Sequence, residues 1–370
     1  GNGNGLAHAH SHAVKMQKSG RKYRQIYGVE FYFVPSLQQW SEEYAAHRQA
    51  IKDAKTAAAA EKKAREKVDI DADDEAEAGG LVVEDEDETK KIDVLKDEWK
   101  RRYHLVVTAR NQQGLKNLFT LVKKSYKYGF YRYPRIDFRM LREHGEGLHV
   151  STACLGGIYS NRILRGEVHG HNRKQIQNEL QNLTDQFVSC VGEENFKLEL
   201  QFNKIGKQHT VNDYLIEHHK LTGIPLICTA DSHYPTSDKW QARELYKKLG
   251  WLGKRDNMTL PDFEDLKCEL YPKNASQMWD EFLESYPVYD FYNGNEELVR
   301  DAINRTHDIV WNDFEDTWID TDAKLPTISI PNKTPFQHLS NLVKRALIKE
   351  GLHKNKEYID RAKYELSDIK

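Results

Sequence analysis

The stretch Ile224-Pro225-Leu226-Ile227-Cys228-Thr229-Ala230-Asp231-Ser232-His233-Tyr234 joins an apolar run to a polar end. The apolar part predicts a buried β-strand that ends by presenting Asp231 and His233. Residues two apart in an extended chain point to the same side, so this pair would reach one metal ion or substrate. An Asp-x-His alone is more often a cap or a surface pair. Because sites of α/β barrels lie at carboxyl ends of strands, its position favours function.

Strand-like and helix-like patterns alternate along most of the chain. The predicted strands cover residues 25–34, 102–109, 148–154, 196–200 and 224–230. The predicted helices between them cover residues 114–128, 173–188 and 212–220. This alternation predicts an α/β fold built on a parallel sheet.

Three further strand patterns carry a possible metal ligand, namely Glu30, His104 and Cys154. Each has an ordinary structural alternative: a solvent-facing carboxylate, a hydrogen-bonded core histidine and a small buried thiol. Carboxylate, imidazole and thiolate together are the donors that zinc and similar divalent ions use. Ligands from several strands are what a barrel-mouth metal site needs, and such a site can activate water and hold a phosphate.

Composition restricts the class of protein. The 370 residues are 39% hydrophobic and 30% charged, which suits a folded core with a strongly charged surface. The formal net charge of −2 leaves nucleic-acid binding to local basic patches. The four cysteines form no C-x-x-C pair, which predicts reduced thiols in a cytoplasmic protein. We expect neither a membrane span nor a signal peptide.

Residues 42–100 differ in composition from the rest, with an alanine- and lysine-rich part followed by acidic runs. They predict a charged, partly disordered insertion with a solvated helix, and a partner-binding arm is the less favoured alternative. Amphipathic helix patterns return after a proline-bearing extended stretch. We therefore expect a barrel domain over residues 1–312, a linker over 313–331 and a helical segment over 332–370.

Six motifs occur in an order that resembles one known family. They are Gly28-Val29-Glu30-Phe31-Tyr32, His104-Leu105-Val106-Val107-Thr108-Ala109-Arg110-Asn111, Gly129-Phe130-Tyr131-Arg132-Tyr133-Pro134-Arg135-Ile136-Asp137, Ser151-Thr152-Ala153-Cys154-Leu155-Gly156-Gly157, Leu198-Glu199-Leu200-Gln201 and Thr229-Ala230-Asp231-Ser232-His233-Tyr234. In this order the motifs resemble the polymerase and histidinol phosphatase (PHP) domain that opens the α subunit of bacterial and phage replicative DNA polymerases of the C family, DNA polymerase III.

The resemblance implies a distorted β/α barrel of the PHP type with a metal cluster, followed by helices that open a polymerase palm. Carried over by motif, the ligand positions are Glu30, His104, Cys154, Asp231 and His233. It implies zinc, manganese or magnesium at this site, and a role as a 3′–5′ exonuclease, a phosphoesterase or a scaffold. A full-length polymerase would use magnesium, DNA primer-template and dNTPs in the cytoplasm of a bacterial or phage-infected cell, with a proofreading exonuclease and a sliding clamp as further partners.

The N-terminal end departs from the family pattern, whereas the C-terminal end fits it. The family begins with strands bearing His-x-His and Thr-Asp-His before a Gly-Asn turn, and Gly3-Asn4 or Gly1-Asn2 resembles that turn. We therefore expect a barrel that is incomplete at its N-terminus and binds metal incompletely. The segments Leu347-Ile348-Lys349-Glu350-Gly351-Leu352 and Tyr364-Glu365-Leu366-Ser367-Asp368-Ile369 resemble the first palm helices. The polymerase aspartates are expected further on, so this chain alone is not expected to polymerise DNA.

The run His8-Ala9-His10-Ser11-His12 offers two interpretations. In a strand, His8, His10 and His12 would share a face and stand for the missing His-x-His motif. In a helix, His8 and His12 would be neighbours while His10 points away. The short distance to Glu30 favours the helix.

The aromatic and basic stretch over residues 126–135 predicts a nucleic-acid contact through Lys127, Arg132 and Arg135. The equal alternative is that its tyrosines pack under the barrel while the basic groups stay solvated. For the chain as a whole, the alternatives to a polymerase fragment are a stand-alone PHP phosphoesterase and a metal-free binding module.

Overall fold

The computed structural model describes residues 4–65, 102–251, 269–320 and 329–369. The chain divides into two compact units, Gly1–Trp318 and Ile319–Lys370. Within the described residues no helix is both long and apolar enough to cross a membrane.

The first unit contains six strands and ten helices within its described residues. The strands are β1 (Gly28–Phe33), β2 (Tyr103–Ala109), β3 (Arg135–Ile136), β4 (Leu148–Ser151), β5 (Phe196–Leu200) and β6 (Leu226–Cys228). The helices are α1 (Asn4–Lys18), α2 (Leu37–Arg65), α3 (Gln112–Tyr128), α4 (Phe138–His144), α5 (Ile158–Val168), α6 (Arg173–Val191), α7 (Gly206–Thr222), α8 (Trp240–Trp251), α9 (Ala275–Ser285) and α10 (Glu296–Asp308). The second unit contains α11 (Pro335–Lys349) and α12 (Lys356–Ile369).

The strands form one mixed sheet in the order β3-β1-β2-β4-β5-β6. Strand β2 runs antiparallel to both β1 and β4, whereas the other neighbouring pairs are parallel. The α/β class is confirmed, but the prediction of an all-parallel sheet is wrong for β2. Apolar periodicity identifies a strand without giving its direction, which depends on the path of the connecting chain. The reversal brings the beginning of β2 to the edge where β1 and β4 end.

The sheet has one apolar face and one polar face because side chains alternate along each strand. The apolar face is buried and includes Phe33, Leu105, Val150 and Leu198. Helices α3, α6 and α7 contact β2, β4 and β5 and supply the layer that covers this face. Polar residues such as Glu30, His104 and Glu199 alternate with these apolar positions and lie on the other face.

Helix α6 carries the centre of the apolar core. Its buried residues recur at helical spacing and place Phe187 against the sheet. Phe187 is fully buried, and its ring centroid lies 5.4 Å from that of Phe33, 4.7 Å from Phe138 and 5.1 Å from Phe196. The aromatic rings therefore join the sheet to helices α4 and α6.

Several predicted elements are shorter or longer in the structure. Strands β1, β4 and β6 stop short of their predicted ends, and α7 begins six residues earlier than expected, at Gly206 rather than residue 212. The helical interpretation of the histidine run is confirmed, because His8, His10 and His12 lie in α1. Helix α2 covers the first part of the predicted insertion. The acidic runs of the insertion and residues 321–328 of the predicted linker lie outside the described residues.

Candidate metal centre

Three of the residues singled out in the sequence meet at one edge of the sheet. Glu30, His104 and Cys154 each offer a potential ligand atom, and these atoms all lie within 4.8 Å of one another. The His104 Nδ1 atom lies 2.6 Å from Glu30 Oε1 and 3.4 Å from Cys154 Sγ. The imidazole therefore stands between the carboxylate and the thiol.

The direction of β2 explains this meeting. His104 is the second residue of β2, so the antiparallel pairing puts it beside the end of β1 and beyond the end of β4. The loop after β4 then closes over it, since the His104 amide donates to the Gly156 carbonyl at 2.9 Å. The same loop carries Cys154, whose Sγ accepts from the Gly156 amide at 3.4 Å. One short loop thus holds two of the three side chains in place.

The backbone just before Cys154 is strained. Ala153 has a φ of 61°, in the left-handed region that residues with a side chain seldom adopt. Such conformations persist where the surrounding structure holds them and cluster at functional sites. Directly after this residue, the Cys154 side chain places its Sγ 3.4 Å from His104 Nδ1.

The donor set fits a divalent ion of the zinc type. A thiolate, an imidazole and a carboxylate are the ligands that zinc accepts in proteins, and three protein ligands leave a position for water or substrate. The Glu30 side chain is 48% exposed while that of His104 is 12% exposed, so the cluster opens to solvent on the carboxylate side. The arrangement can therefore hold an ion at a place that a substrate reaches.

Gly156 sets the position of the His104 ring. A Cβ atom at residue 156 would lie 2.8 Å from His104 Nδ1 and 3.0 Å from its Cε1 and Cγ atoms. We expect Gly156→Ala to displace the imidazole and weaken zinc binding by roughly 10- to 100-fold, as loss of other groups that orient ligands does. Competition with a chromogenic zinc chelator measures the change. Gly206→Ala is the control, because its Cβ would meet only the Tyr289 hydroxyl, at 3.8 Å; equal zinc affinity of all three proteins would contradict the expectation.

Asp231 and His233 lie beyond β6 and outside the three-residue group. Strand β6 ends at Cys228 and Asp231 has a φ of 44°, so the chain is not extended where the pair stands. The expectation that both side chains share a strand face is therefore wrong. His233 Nδ1 instead lies 2.7 Å from the Asp231 carbonyl oxygen and 3.9 Å from its carboxylate Oδ2.

Glu199 is a site residue that the sequence reasoning did not select. It is buried on β5, and its Oε2 accepts a 2.5 Å hydrogen bond from the amide of Ala153, next to Cys154. Burial raises the pKa of the Glu199 carboxyl, and the charge of Glu30 raises it further. The sequence signal for Glu199 is the alternation of charged and apolar residues in Phe196-Lys197-Leu198-Glu199-Leu200. In the structure all five residues of this strand are buried, so its two charged side chains lie inside the protein.

Comparison with known proteins identifies the family of the chain. Residues 4–203, more than half of the chain, match the family described as PHP domain. The chain belongs to the PHP domain family. Its mixed α/β architecture is consistent with a PHP-type barrel.

The PHP chain is also similar to curated proteins named DNA polymerase III subunit alpha. It is 30% identical to that of Aquifex aeolicus over 275 residues, which cover 73% of the chain and 22% of the relative. It is 31% identical to that of Borreliella burgdorferi, over 73% of the chain and 21% of the relative. For Campylobacter jejuni the identity is 29%, over 72% and 22%. The chain thus spans about a fifth of the length of these relatives, in a homologous region of the subunit.

The aromatic and basic stretch of the PHP domain divides into exposed and buried members. Lys127 at the end of α3 and Arg132 in the following turn are exposed. Exposed aromatic rings accompany them at Tyr126, Tyr128 and Phe130.

Arg135 differs from both, because it is 3% exposed and donates to the Tyr131 and Tyr133 carbonyl oxygens at 2.8 and 3.0 Å. A guanidinium held this way serves the local fold. Of the three basic residues predicted to contact nucleic acid, Lys127 and Arg132 are therefore the two at the surface.

Proposed function

We propose that the PHP domain is a metal-dependent phosphoesterase that removes nucleotides from 3′ ends of DNA, within the α subunit of a replicative DNA polymerase. The observation that carries this proposal is the convergence of Glu30, His104 and Cys154 at the open edge of the sheet. Zinc suits this donor set best, and manganese or magnesium are the alternatives. Asp231 and His233 remain proposed as a second donor pair.

A bound divalent ion would supply an acidified water and a charge that offsets a phosphate. The chain's own residues determine where this happens. Cys154, 7% exposed, and His104 are the enclosed donors, whereas the Glu30 carboxylate faces solvent, which keeps that side of the site open to water and substrate. The Gly156 amide keeps the thiol directed at His104.

For the full-length protein we propose DNA synthesis on a primer-template from dNTPs, with magnesium at a polymerase site beyond this chain. A proofreading exonuclease and a sliding clamp are the proposed partners, and the cytoplasm is the proposed location. The exposed Lys127 and Arg132, with Tyr126, Tyr128 and Phe130, are proposed to contact DNA. In a scaffold role, the same domain would hold the exonuclease without cutting DNA itself.

Metal content and hydrolysis test the phosphoesterase proposal together. The protein is stripped with a chelator and dialysed against zinc or manganese. Bound metal is then counted, and nucleotide release from 3′-labelled single-stranded DNA is compared with phosphate release from p-nitrophenyl phosphate. We expect His104→Ala and Cys154→Ser to lose the ion and at least about 100-fold of DNA hydrolysis, since an open metal site fails when one of three ligands is removed.

His307→Ala is the matched control, because this side chain is 70% exposed on α10, away from the cluster. An unchanged metal count in His104→Ala would refute the site. Metal binding without hydrolysis of either substrate would favour the scaffold role. Preference for the small ester would favour a phosphoesterase that acts on small molecules.

A further inference from the structure

A cluster of aromatic and guanidinium groups lies directly beside the metal centre. The Tyr32 ring lies 5.6 Å from the His104 ring and 5.2 Å from the Tyr133 ring, which it meets at 72°. The Arg102 guanidinium lies over both tyrosines, 4.3 Å from the Tyr133 centroid and 5.2 Å from that of Tyr32. Tyr32, Arg102 and Tyr133 are all half-buried, so part of each side chain reaches the surface.

The sheet fixes this cluster to the metal centre. Tyr32 is paired with His104 across β1 and β2 and with Arg135 across β1 and β3. Arg102 is the residue before β2, and Tyr133 is held in a bridge with Tyr131. Because the backbone positions are set by strand pairing, the aromatic faces stay at a constant distance from His104.

A second guanidinium lies close to this cluster. Arg135 lies behind the tyrosines, and it forms no ion pair within the part of the chain that the structure describes. Burial and the neighbouring charge of Arg102 lower the pKa of Arg135 to about 10, which leaves it charged at neutral pH. Two cations beside half-buried tyrosine rings attract a phosphate, and tyrosine and guanidinium surfaces can stack on a base.

We propose that Tyr32, Arg102 and Tyr133 form a nucleotide subsite that holds the end of a single strand next to the Glu30, His104 and Cys154 cluster. This inference rests on the proposed hydrolytic function and names its substrate class, a nucleotide with both base and phosphate. The base stacks on the tyrosine and guanidinium surfaces, and Arg102 donates to the phosphate. A small phosphate ester without a base would use only the hydrogen bond from Arg102 to the phosphate.

Binding measured without metal tests the subsite separately from hydrolysis. The probe is a fluorescein-labelled decathymidylate, followed by anisotropy with chelator present. We expect Tyr133→Leu and Arg102→Gln each to weaken binding roughly 5- to 100-fold, the range for loss of one stacking or cationic contact. Zinc stoichiometry should stay near that of the parent in both variants, which also shows that they fold.

Tyr246→Leu and Arg361→Gln are the matched controls, because Tyr246 is 77% exposed on α8 and the Arg361 side chain is 70% exposed on α12. Parent-like binding by both subsite variants would overturn the proposal. Competition by inorganic phosphate as effective as by thymidine monophosphate would overturn the stacking of the base. If the parent binds no metal but the subsite variants still lose oligonucleotide affinity, the hydrolytic function fails and the subsite stands.

Discussion

Replacing Phe187 by alanine is expected to lower the free energy of unfolding by about 3–5 kcal/mol. The side chain is fully buried, and its ring packs against Phe33 from the sheet, Phe138 from α4 and Phe196 from β5. The loss combines the transfer free energy of the ring with the cavity that remains, since three aromatic neighbours attached to different elements cannot collapse into it. Urea denaturation followed by circular dichroism measures the change.

Phe119→Ala provides the control for the same chemical change at the surface. Phe119 is 44% exposed on α3, so its removal should cost less than about 1 kcal/mol. Phe187→Leu should fall between the two, because it keeps most of the apolar contact area. Equal destabilisation by Phe187→Ala and Phe119→Ala would mean that the aromatic cluster is not the centre of the core.

Replacing Glu281 by leucine is expected to destabilise the protein by a similar amount, about 3–5 kcal/mol. Lys273 Nζ lies 2.8 Å from Glu281 Oε1, and the two side chains are only 2% and 10% exposed. Lys273 also donates to the Glu269 carbonyl oxygen, which holds the ammonium in place. Without the carboxylate, a buried positive charge would remain with only the Glu269 carbonyl and the Tyr271 ring, whose centroid lies 4.4 Å away, among its described partners.

Removing the other partner, by Lys273→Met, should lower the free energy of unfolding less than Glu281→Leu does. The Glu281 carboxyl left behind can take up a proton and become neutral. Burial raises the pKa of Glu281 to about 7 even with Lys273 beside it. A raised carboxyl pKa contributes stability that is complete below the unfolded value of about 4.3 and is lost as pH rises through the folded value. As the pH is lowered from 8 to 6, the free energy of unfolding of Lys273→Met should therefore rise relative to that of the parent. That of Glu281→Leu should not.

Urea denaturation of both single variants and the double variant at the two pH values provides the measurement. The double variant Lys273→Met/Glu281→Leu should be more stable than Glu281→Leu alone, because no buried charge is left unpaired. Additive losses would show that the two side chains do not interact in solution.

Glu30 and His104 lie on strands that the sequence predicts, and Cys154 lies in the loop after β4, but the sequence does not show why the three side chains meet. Glu30 is the third residue of β1, and Cys154 follows the end of β4. His104, the second residue of β2, joins them because β2 runs antiparallel to both β1 and β4. Asp231-Ser232-His233 shows the opposite case. Its position after a buried strand was correctly predicted, yet the left-handed backbone at Asp231 removed the simple alternation on which the pairing argument relied.

The burial of Arg135 could not be predicted from the composition of the segment around it. It stands in an aromatic and basic run that resembles a nucleic-acid surface, and its neighbour at Arg132 is indeed exposed. Alternation within the short turn buries Arg135 under Tyr131 and Tyr133, where backbone carbonyls occupy its donors. Sequence alone gives charge and spacing, but not the side of the chain that meets water.

The sequence by itself determined the family, the α/β class and the identities of the possible ligands, because ordered motifs and local periodicity are properties of the chain as written. Tertiary structure alone decided which of those ligands meet. Strand direction, the Gly156 contact with His104 and the burial of Glu199 and Arg135 arise from packing between residues far apart in the chain. Local patterns encode each element, whereas the distances between elements depend on how all of them pack around one core.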